Sequence, residues 1–484
     1  MKKNLVYYFI LSASQVLLPL VSVPYVSRVL DPSGVGRVTF IDSLVYFFSI
    51  IAEFGVASYG IREVAKLKDR PGQLNKLIPE LLVLHLFTTL ATLVLYLGTI
   101  YLVYDKVADI RLVVFSVVFL LVNAISCEWY FYGTERFRYI SVRSVLIRLT
   151  AIACIFIFVR ESTDYYLYYV ILVSAVAMLA ALNILALLRS QRLTFRNLRW
   201  SRHVRHTWIT FLISLLTSVF VYLDNVMLGV LTTAYMVGLY VFAMRIVRVS
   251  GSLITDTLQV FFPAIVSLIR MDNTEKLQLT LLRCIQLITT FSVPLMTGTF
   301  LLADEIVGII LGPSFAASAD NLRILAFYPF LRAHNLFFGR QVLMAHNYER
   351  YMLRSLACGS VILVALIVLL AGKWGGIGVS CAVLLAEMVM LLMNYSYAVK
   401  CVPGMRLVDW KCFYQSVLSS LLFVPIIMLV SRTFTESWLV LIVAFVACLL
   451  VYAICQLFIF QNTILMALRR SGLKFIYRLM EGSA

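Results

Sequence analysis

The run WLVLIVAFVACLLVYAICQLFIF at 438–460 holds 23 consecutive residues without a charge. As a helix it is roughly 35 Å long, enough to cross the ~30 Å hydrocarbon core of a bilayer. Inside lipid every backbone N–H and C=O must be satisfied within the chain, so a helix is the expected form. Working outward from this run, apolar stretches between charge clusters give thirteen more spans of the same kind. They lie at about 5–30, 38–60, 79–103, 112–132, 144–160, 166–188, 207–231, 238–268, 280–303, 321–344, 354–371, 376–399 and 413–431. The fold expected is all-α and polytopic, with fourteen transmembrane helices.

Composition agrees. Of 484 residues, 62% are hydrophobic and 13% charged, whereas soluble domains carry about 25% charged residues. The net charge of +17 would suggest a nucleic-acid partner on a soluble chain, and none is expected here. Instead the charge sorts by loop. With a cytoplasmic N-terminus, inner segments hold 27 Lys and Arg and outer ones 6, as the positive-inside rule requires. Both termini are therefore expected in the cytoplasm. The longest inner loop, 189–206, has six Arg and no acid. Its basic residues are interleaved with Leu193, Phe195, Leu198 and Trp200, the pattern of an amphipathic helix on an anionic membrane face.

The nine cysteines are mostly embedded in apolar runs, with no CxxC, and read as small buried hydrophobes rather than a disulfide or metal framework. Met1-Lys2-Lys3-Asn4 before an apolar stretch imitates a signal peptide, but the run continues to Leu30, so it reads as a retained first helix. Local patterns recur at six-helix spacing. Val35-Gly36 is echoed by Val237-Gly238-Leu239-Tyr240, and Arg138-Tyr139-Ile140 with Arg143-Ser144 by Arg350-Tyr351-Met352 with Arg354-Ser355. Six is even, so the halves are expected to be parallel repeats: a six-helix lobe over 1–200, a second over 201–400, and two further helices with a tail over 401–484.

Ionisable groups inside spans are expensive unless paired or hydrated, which makes each a functional candidate. Arg28 follows Pro19 and Pro24. The seventh and eighth spans carry Asp224, Arg245, Arg248 and Asp256, and Arg332 follows Pro329. Glu387 lies midway along the twelfth span. Arg245 and Arg248 are three apart on one helix face, and with Arg28 and Arg332 they form a candidate cationic cavity for a phosphate-like anion. The competing reading pairs these arginines with Asp224 or Asp256. Asp224, Glu387 and Asp256 are candidates to carry a coupling proton or cation. Arg340, His85, Glu53 and Glu128 lie near expected helix ends and read as interfacial or structural.

The stretch Leu18-Pro19-Leu20 through Pro24-Tyr25-Val26-Ser27-Arg28-Val29-Leu30-Asp31-Pro32-Ser33-Gly34-Val35-Gly36, followed by Phe54-Gly55 and Tyr59-Gly60-Ile61-Arg62-Glu63-Val64-Ala65, resembles the N-terminal signature of Wzx-like polysaccharide flippases. These belong to the multidrug/oligosaccharidyl-lipid/polysaccharide exporter superfamily. Asp224-Asn225-Val226-Met227-Leu228-Gly229 resembles the start of that family's second half. The resemblance implies a two-lobed transporter of the bacterial inner membrane that moves undecaprenyl-pyrophosphate-linked oligosaccharide to the periplasmic leaflet by ion-coupled alternating access. It also implies basic residues in a central cavity, matched here by Arg28 and Arg245. A sodium site like that of lipid II flippases would use Asp224. Residues 354–371 supply no Asp or Asn to complete it, so proton coupling stays open.

The physical logic is that sugar and pyrophosphate need a polar path while the lipid tail remains in the bilayer. Partners expected are the lipid-linked substrate, membrane lipids and an assembly with a glycan polymerase or glycosyltransferase; no cofactor is expected. A drug or cation exporter of the same superfamily is the alternative, although its cavity would be acidic. A membrane polymerase or glycosyltransferase is a further alternative. Against an enzyme stand the short outer loops and the lack of a DxD pair, a Walker motif or a nucleophile motif.

Overall fold

In the computed structural model, which describes residues 11, 14, 21–107 and 109–471, helix starts and stops follow local chemistry. Asp31 accepts the N–H of Gly34 at 2.6 Å, and Pro32 occupies the first turn, where its missing N–H costs nothing. The helix Pro32–Glu53 ends because Phe54 and Gly55 adopt φ of 49° and 73°. Glu53 then accepts the N–H of Ala57 at 3.1 Å and supports the next helix, Val56–Leu67. The expected 38–60 span is thus broken at 54–55.

All regular structure among the described residues is helical, and eleven helices are long and apolar enough to cross a membrane. Ten of them correspond singly to expected spans. The eleventh, Glu349–Cys401, runs for 53 residues and covers the expected 354–371 and 376–399 spans. It turns at Gly375, whose φ of 55° and ψ of −132° are not helical. The expected 321–344 span is three pieces, Ser318–Leu325, Tyr328–Leu336 and a π-helical Phe337–Met344. Residues 21–29 are helical; Pro19, most of the 5–30 span and residues 472–484 lie outside the described residues.

The chain divides into two compact units, Met1–Gly238 and Leu239–Ala484. The boundary falls after the seventh expected span, whose helical residues 201–231 pack on Pro32–Glu53. In the first unit one apolar cluster runs from Val38 to Val226 and another joins Leu74, Tyr130 and Leu187. In the second, Leu258, Ile285 and Phe337 share one cluster, and Ile427, Val440 and Cys448 another. Large apolar side chains also point outward, as at Leu102, which is 81% exposed, and Val361, at 70%. A soluble protein would not tolerate such faces along whole helices; lipid does. The chain is a multi-pass membrane protein.

The glycines of the first sequence repeat meet. A Cβ on Gly36 would lie 1.7 Å from the Ala234 carbonyl oxygen, and one on Gly238 would lie 1.9 Å from that of Pro32. Only glycine permits this backbone approach. One expectation fails: 191–199 is not a helix. Thr194 donates its N–H to the Asn75 carbonyl and Arg199 donates its own to Glu80 Oε1, so tertiary partners take the backbone groups that a helix would have used. Cys127, Cys284, Cys412, Cys448 and Cys455 are buried as expected, whereas Cys154, Cys358, Cys381 and Cys401 are half-buried.

Candidate functional site

In the second unit, Pro329 opens the Tyr328–Leu336 helix, on which Arg332 and Asn335 stand one turn apart. Both reach Glu387, which is fully buried. Arg332 Nη1 donates to Glu387 Oε1 at 3.2 Å, and Asn335 Nδ2 donates to Oε2 at 2.6 Å and to the backbone carbonyl at 2.9 Å. Asn394, two turns beyond Glu387, donates to Asn335 Oδ1 at 3.1 Å. The carboxylate is therefore paired and bonded, as burial in hydrocarbon demands.

Gly251 brings the Ala234–Arg270 helix against this group, since a Cβ there would sit 3.2 Å from Pro329 Cβ. Three residues earlier, Arg248 joins Arg332 in lining a cavity of about 200 Å³ with Ser252, Thr255 and Tyr328. Two arginines on different helices thus line one cavity among apolar spans, a geometry suited to a multidentate anion.

The other candidates lie elsewhere. Arg245 is half-buried with its guanidinium 5.7 Å above the Phe242 ring and does not line this cavity. Asp256 is exposed and accepts a bond from Gln259 at 3.2 Å. The carboxylate that meets Arg332 is Glu387, rather than the Asp224 or Asp256 of the competing expectation. Arg28, in the first unit, is exposed and donates to the Pro24 carbonyl at 3.2 Å.

Asp224 is fully buried in the first unit, just after a π-helical turn at Val219–Leu223. It accepts the N–H of Asn225 at 2.8 Å, and Asn225 Nδ2 donates to Ser43 Oγ at 3.1 Å. Asn225 Oδ1 is buried without a hydrogen-bond partner, so an oxygen is left for a cation or a proton donor. Beside Ser43 stands Asp42, which the sequence reading passed over; it interacts electrostatically with Tyr46, Tyr96 and Tyr169. Tyr46 in turn stacks on Tyr222 at 5.3 Å. The available signal was a carboxylate and a serine one turn inside an apolar span. Arg148, also passed over, donates to Ser14 Oγ at 3.1 Å.

Glu128 accepts from buried Arg143 at 2.6 Å, and the Arg340 guanidinium lies over the Phe262 ring. His85 is not near a helix end: it is buried well inside Pro71–Val107, and neither ring nitrogen has a hydrogen-bond partner. The span assigned from hydropathy began eight residues too late, because polar Gln73, Asn75 and Lys76 belong to the same helix. No group of three His, Cys, Asp or Glu suited to a metal occurs among the described residues.

Comparison with known proteins gives these arrangements a family. Residues 1–269 match the family described as polysaccharide biosynthesis protein. A protein of Shigella dysenteriae named "Putative O-antigen transporter" is 23% identical over 81% of this chain and 98% of its own length. One of the same name from Escherichia coli K12 is 27% identical over 80% and 94%. Among solved structures, the lipid II flippase MurJ in an inward closed conformation superposes with a TM-score of 0.74, at 15% identity, over 95% of this chain and 100% of that one. An inward-facing multidrug resistance MATE family transporter gives 0.58 at 16% identity, over 80% and 95%. The fold is thus that of MurJ and MATE transporters, and the chain belongs to the polysaccharide biosynthesis protein family.

Proposed function

We propose that the protein is a flippase for undecaprenyl-pyrophosphate-linked oligosaccharide, carrying an O-antigen, capsule or related repeat unit from the cytoplasmic to the periplasmic leaflet of the bacterial inner membrane. The observation that carries this reading is the pair Arg248 and Arg332 lining one cavity within apolar helices. A pyrophosphate offers several charged oxygens to such a pair, whereas a cationic drug would be repelled. The names of the relatives favour the same substrate class and a transporter rather than an enzyme. In this reading the chain has fourteen spans in two six-helix lobes plus two, both termini are cytoplasmic, and Arg28 in the first unit and Arg245 in the second are further candidates to contact the anionic substrate. Glycan polymerase or glycosyltransferase partners would supply and consume the substrate.

Coupling follows from Glu387. While ionised it holds Arg332; protonation weakens that pair and frees the guanidinium for the incoming anion. Asp224, with Asn225 and Ser43 oxygens beside it, is the second coupling site, able to take a proton or sodium, and Asp256 is the third acid of the set. The test is surface-glycan export in cells lacking the native gene and carrying Arg245→Ala, Arg248→Ala or Arg332→Ala, with membrane levels verified. Export is expected to fall sharply for each; normal export by well-inserted variants refutes the anion site. In vesicles, flipping by Asp224→Asn or Glu387→Gln is expected to lose its dependence on an imposed ion gradient. If gradient collapse leaves wild-type flipping unchanged, coupling is wrong.

A further inference from the structure

A second cavity, of about 470 Å³, lies in the first unit, away from the groups above. Its walls come from the two most basic inner segments of the chain, 61–78 with five Lys and Arg and 189–206 with six. In the sequence both are topological signals, and 189–206 also has a membrane-facing pattern; the fold brings them around one space. Lys76 and Gln73 face it from the Pro71–Val107 helix, Arg202 and His206 from the Ser201–Ser218 helix, and Tyr59 from Val56–Leu67.

The carboxylates nearby are already engaged. Glu63 is held by Lys66 at 2.8 Å, with Arg62 at 3.6 Å. Buried Glu80 accepts from Arg202 Nη2 at 2.6 Å, His203 Nε2 at 2.9 Å and the Arg199 N–H at 2.9 Å. Tyr59 Oη bonds the other His203 nitrogen at 2.9 Å, which fixes the floor. Lys76, for its part, has no carboxylate partner among the described residues. Glu63 also lines the cavity but is held by Lys66, which leaves Lys76, Arg202 and His206 as the cationic and N–H donor groups facing the space, the chemistry that recognises a phosphate.

The aromatic residues beside it point to the source of that phosphate. Trp200 packs on Phe87 at 5.2 Å and Trp208 on Phe54 at 5.7 Å, while Phe195 and Trp208 are exposed. Exposed aromatic rings beside basic residues mark the headgroup level of a bilayer. We propose that this cavity is a binding site for the phosphodiester headgroup of an anionic phospholipid, separate from the transport cavity and independent of the reading given to it.

The test is native mass spectrometry of the full chain released from detergent, titrated with phosphatidylglycerol or phosphatidylcholine. The double variant Lys76→Gln/His206→Gln is expected to bind phosphatidylglycerol about tenfold more weakly than wild type. Phosphatidylcholine binding should be unchanged, and Lys76→Glu should be weaker still. Both side chains are exposed, so unfolding temperatures without lipid should match, and Lys373→Gln serves as a distant control. Equal phosphatidylglycerol affinity for wild type and the double variant overturns the site. Displacement of the lipid by millimolar inorganic phosphate keeps the phosphate chemistry and overturns the lipid source. Translocation is not read in this experiment, so its failure leaves the flippase reading untouched.

Discussion

Glu80 in the first unit and Glu387 in the second are both buried carboxylates held by an arginine, yet their surroundings differ in kind. Glu80 has three donors, one of them a backbone N–H and one the buried His203. It clamps the start of the Ser201–Ser218 helix to Pro71–Val107, with His203 and the Arg199 N–H holding it besides Arg202. Among the described residues Glu387 pairs with one cation, Arg332, which also lines a cavity with Arg248. If Arg202 turns away, Glu80 keeps His203 and a backbone N–H; if Arg332 turns to its cavity, Glu387 keeps only the Asn335 amide, and so it is the carboxylate placed to trade partners.

That contrast has consequences of decreasing size. Glu80→Ala strands His203 and the Arg199 N–H, and a loss of about 3–5 kcal/mol is expected, read as a large drop in unfolding temperature in detergent. An unchanged unfolding temperature would mean that Glu80 is no clamp. Arg332→Ala leaves Glu387 buried without its cation and is expected to cost about 3 kcal/mol as well as export. The neutral pair Arg332→Gln/Glu387→Gln should recover stability and not export. If export also returns, Glu387 is a clamp of the same kind as Glu80 and the contrast disappears.

Asp109 is an intermediate case, outside the spans. It accepts from Tyr165 Oη at 2.7 Å and from the Arg111 side chain at 2.8 Å. Burial pushes its pKa up, but the hydrogen bonds from Arg111 and Tyr165 outweigh that and hold it below the ordinary carboxylate range. A folded value below the unfolded one contributes stability at neutral pH that is lost as pH falls below about 4 through the lowered value. Asp109→Asn should therefore cost about 1 kcal/mol of stability, read as a modest drop in unfolding temperature, with the two proteins converging in acid. Asp256→Asn removes an exposed acid; stability should change by less than about 0.5 kcal/mol, and export should fall least among the three coupling candidates.

Much of the fold was legible because hydrocarbon imposes one demand on every residue of a span, and a run such as 438–460 can meet it only as a helix. Broken spans were harder. The chain at 54–55, at Gly375 and around Pro329 stays apolar while its backbone turns, and hydropathy does not register dihedral angles. The amphipathic pattern of 189–206 was real, but its backbone found better partners in Asn75 and Glu80. At the site, the residue types were visible and the pairing was not: Arg332 and Glu387 are 55 positions apart, and only packing decides which acid an arginine meets. Asp42 escaped notice because an acid near a span end resembles a boundary until the helix is seen to begin at Pro32.

By itself the sequence determined that this is a helical multi-pass membrane protein with an excess of arginine inside its spans, since charge and apolarity along the chain follow directly from solvation in lipid. Tertiary structure alone decided which of those charges face a shared space, which are locked into clamps, and that two basic segments more than a hundred residues apart line one cavity. The physical reason is range. Solvation acts on each residue where it stands, whereas a buried ion pair exists only when two distant helices are packed within about 3 Å of side-chain contact.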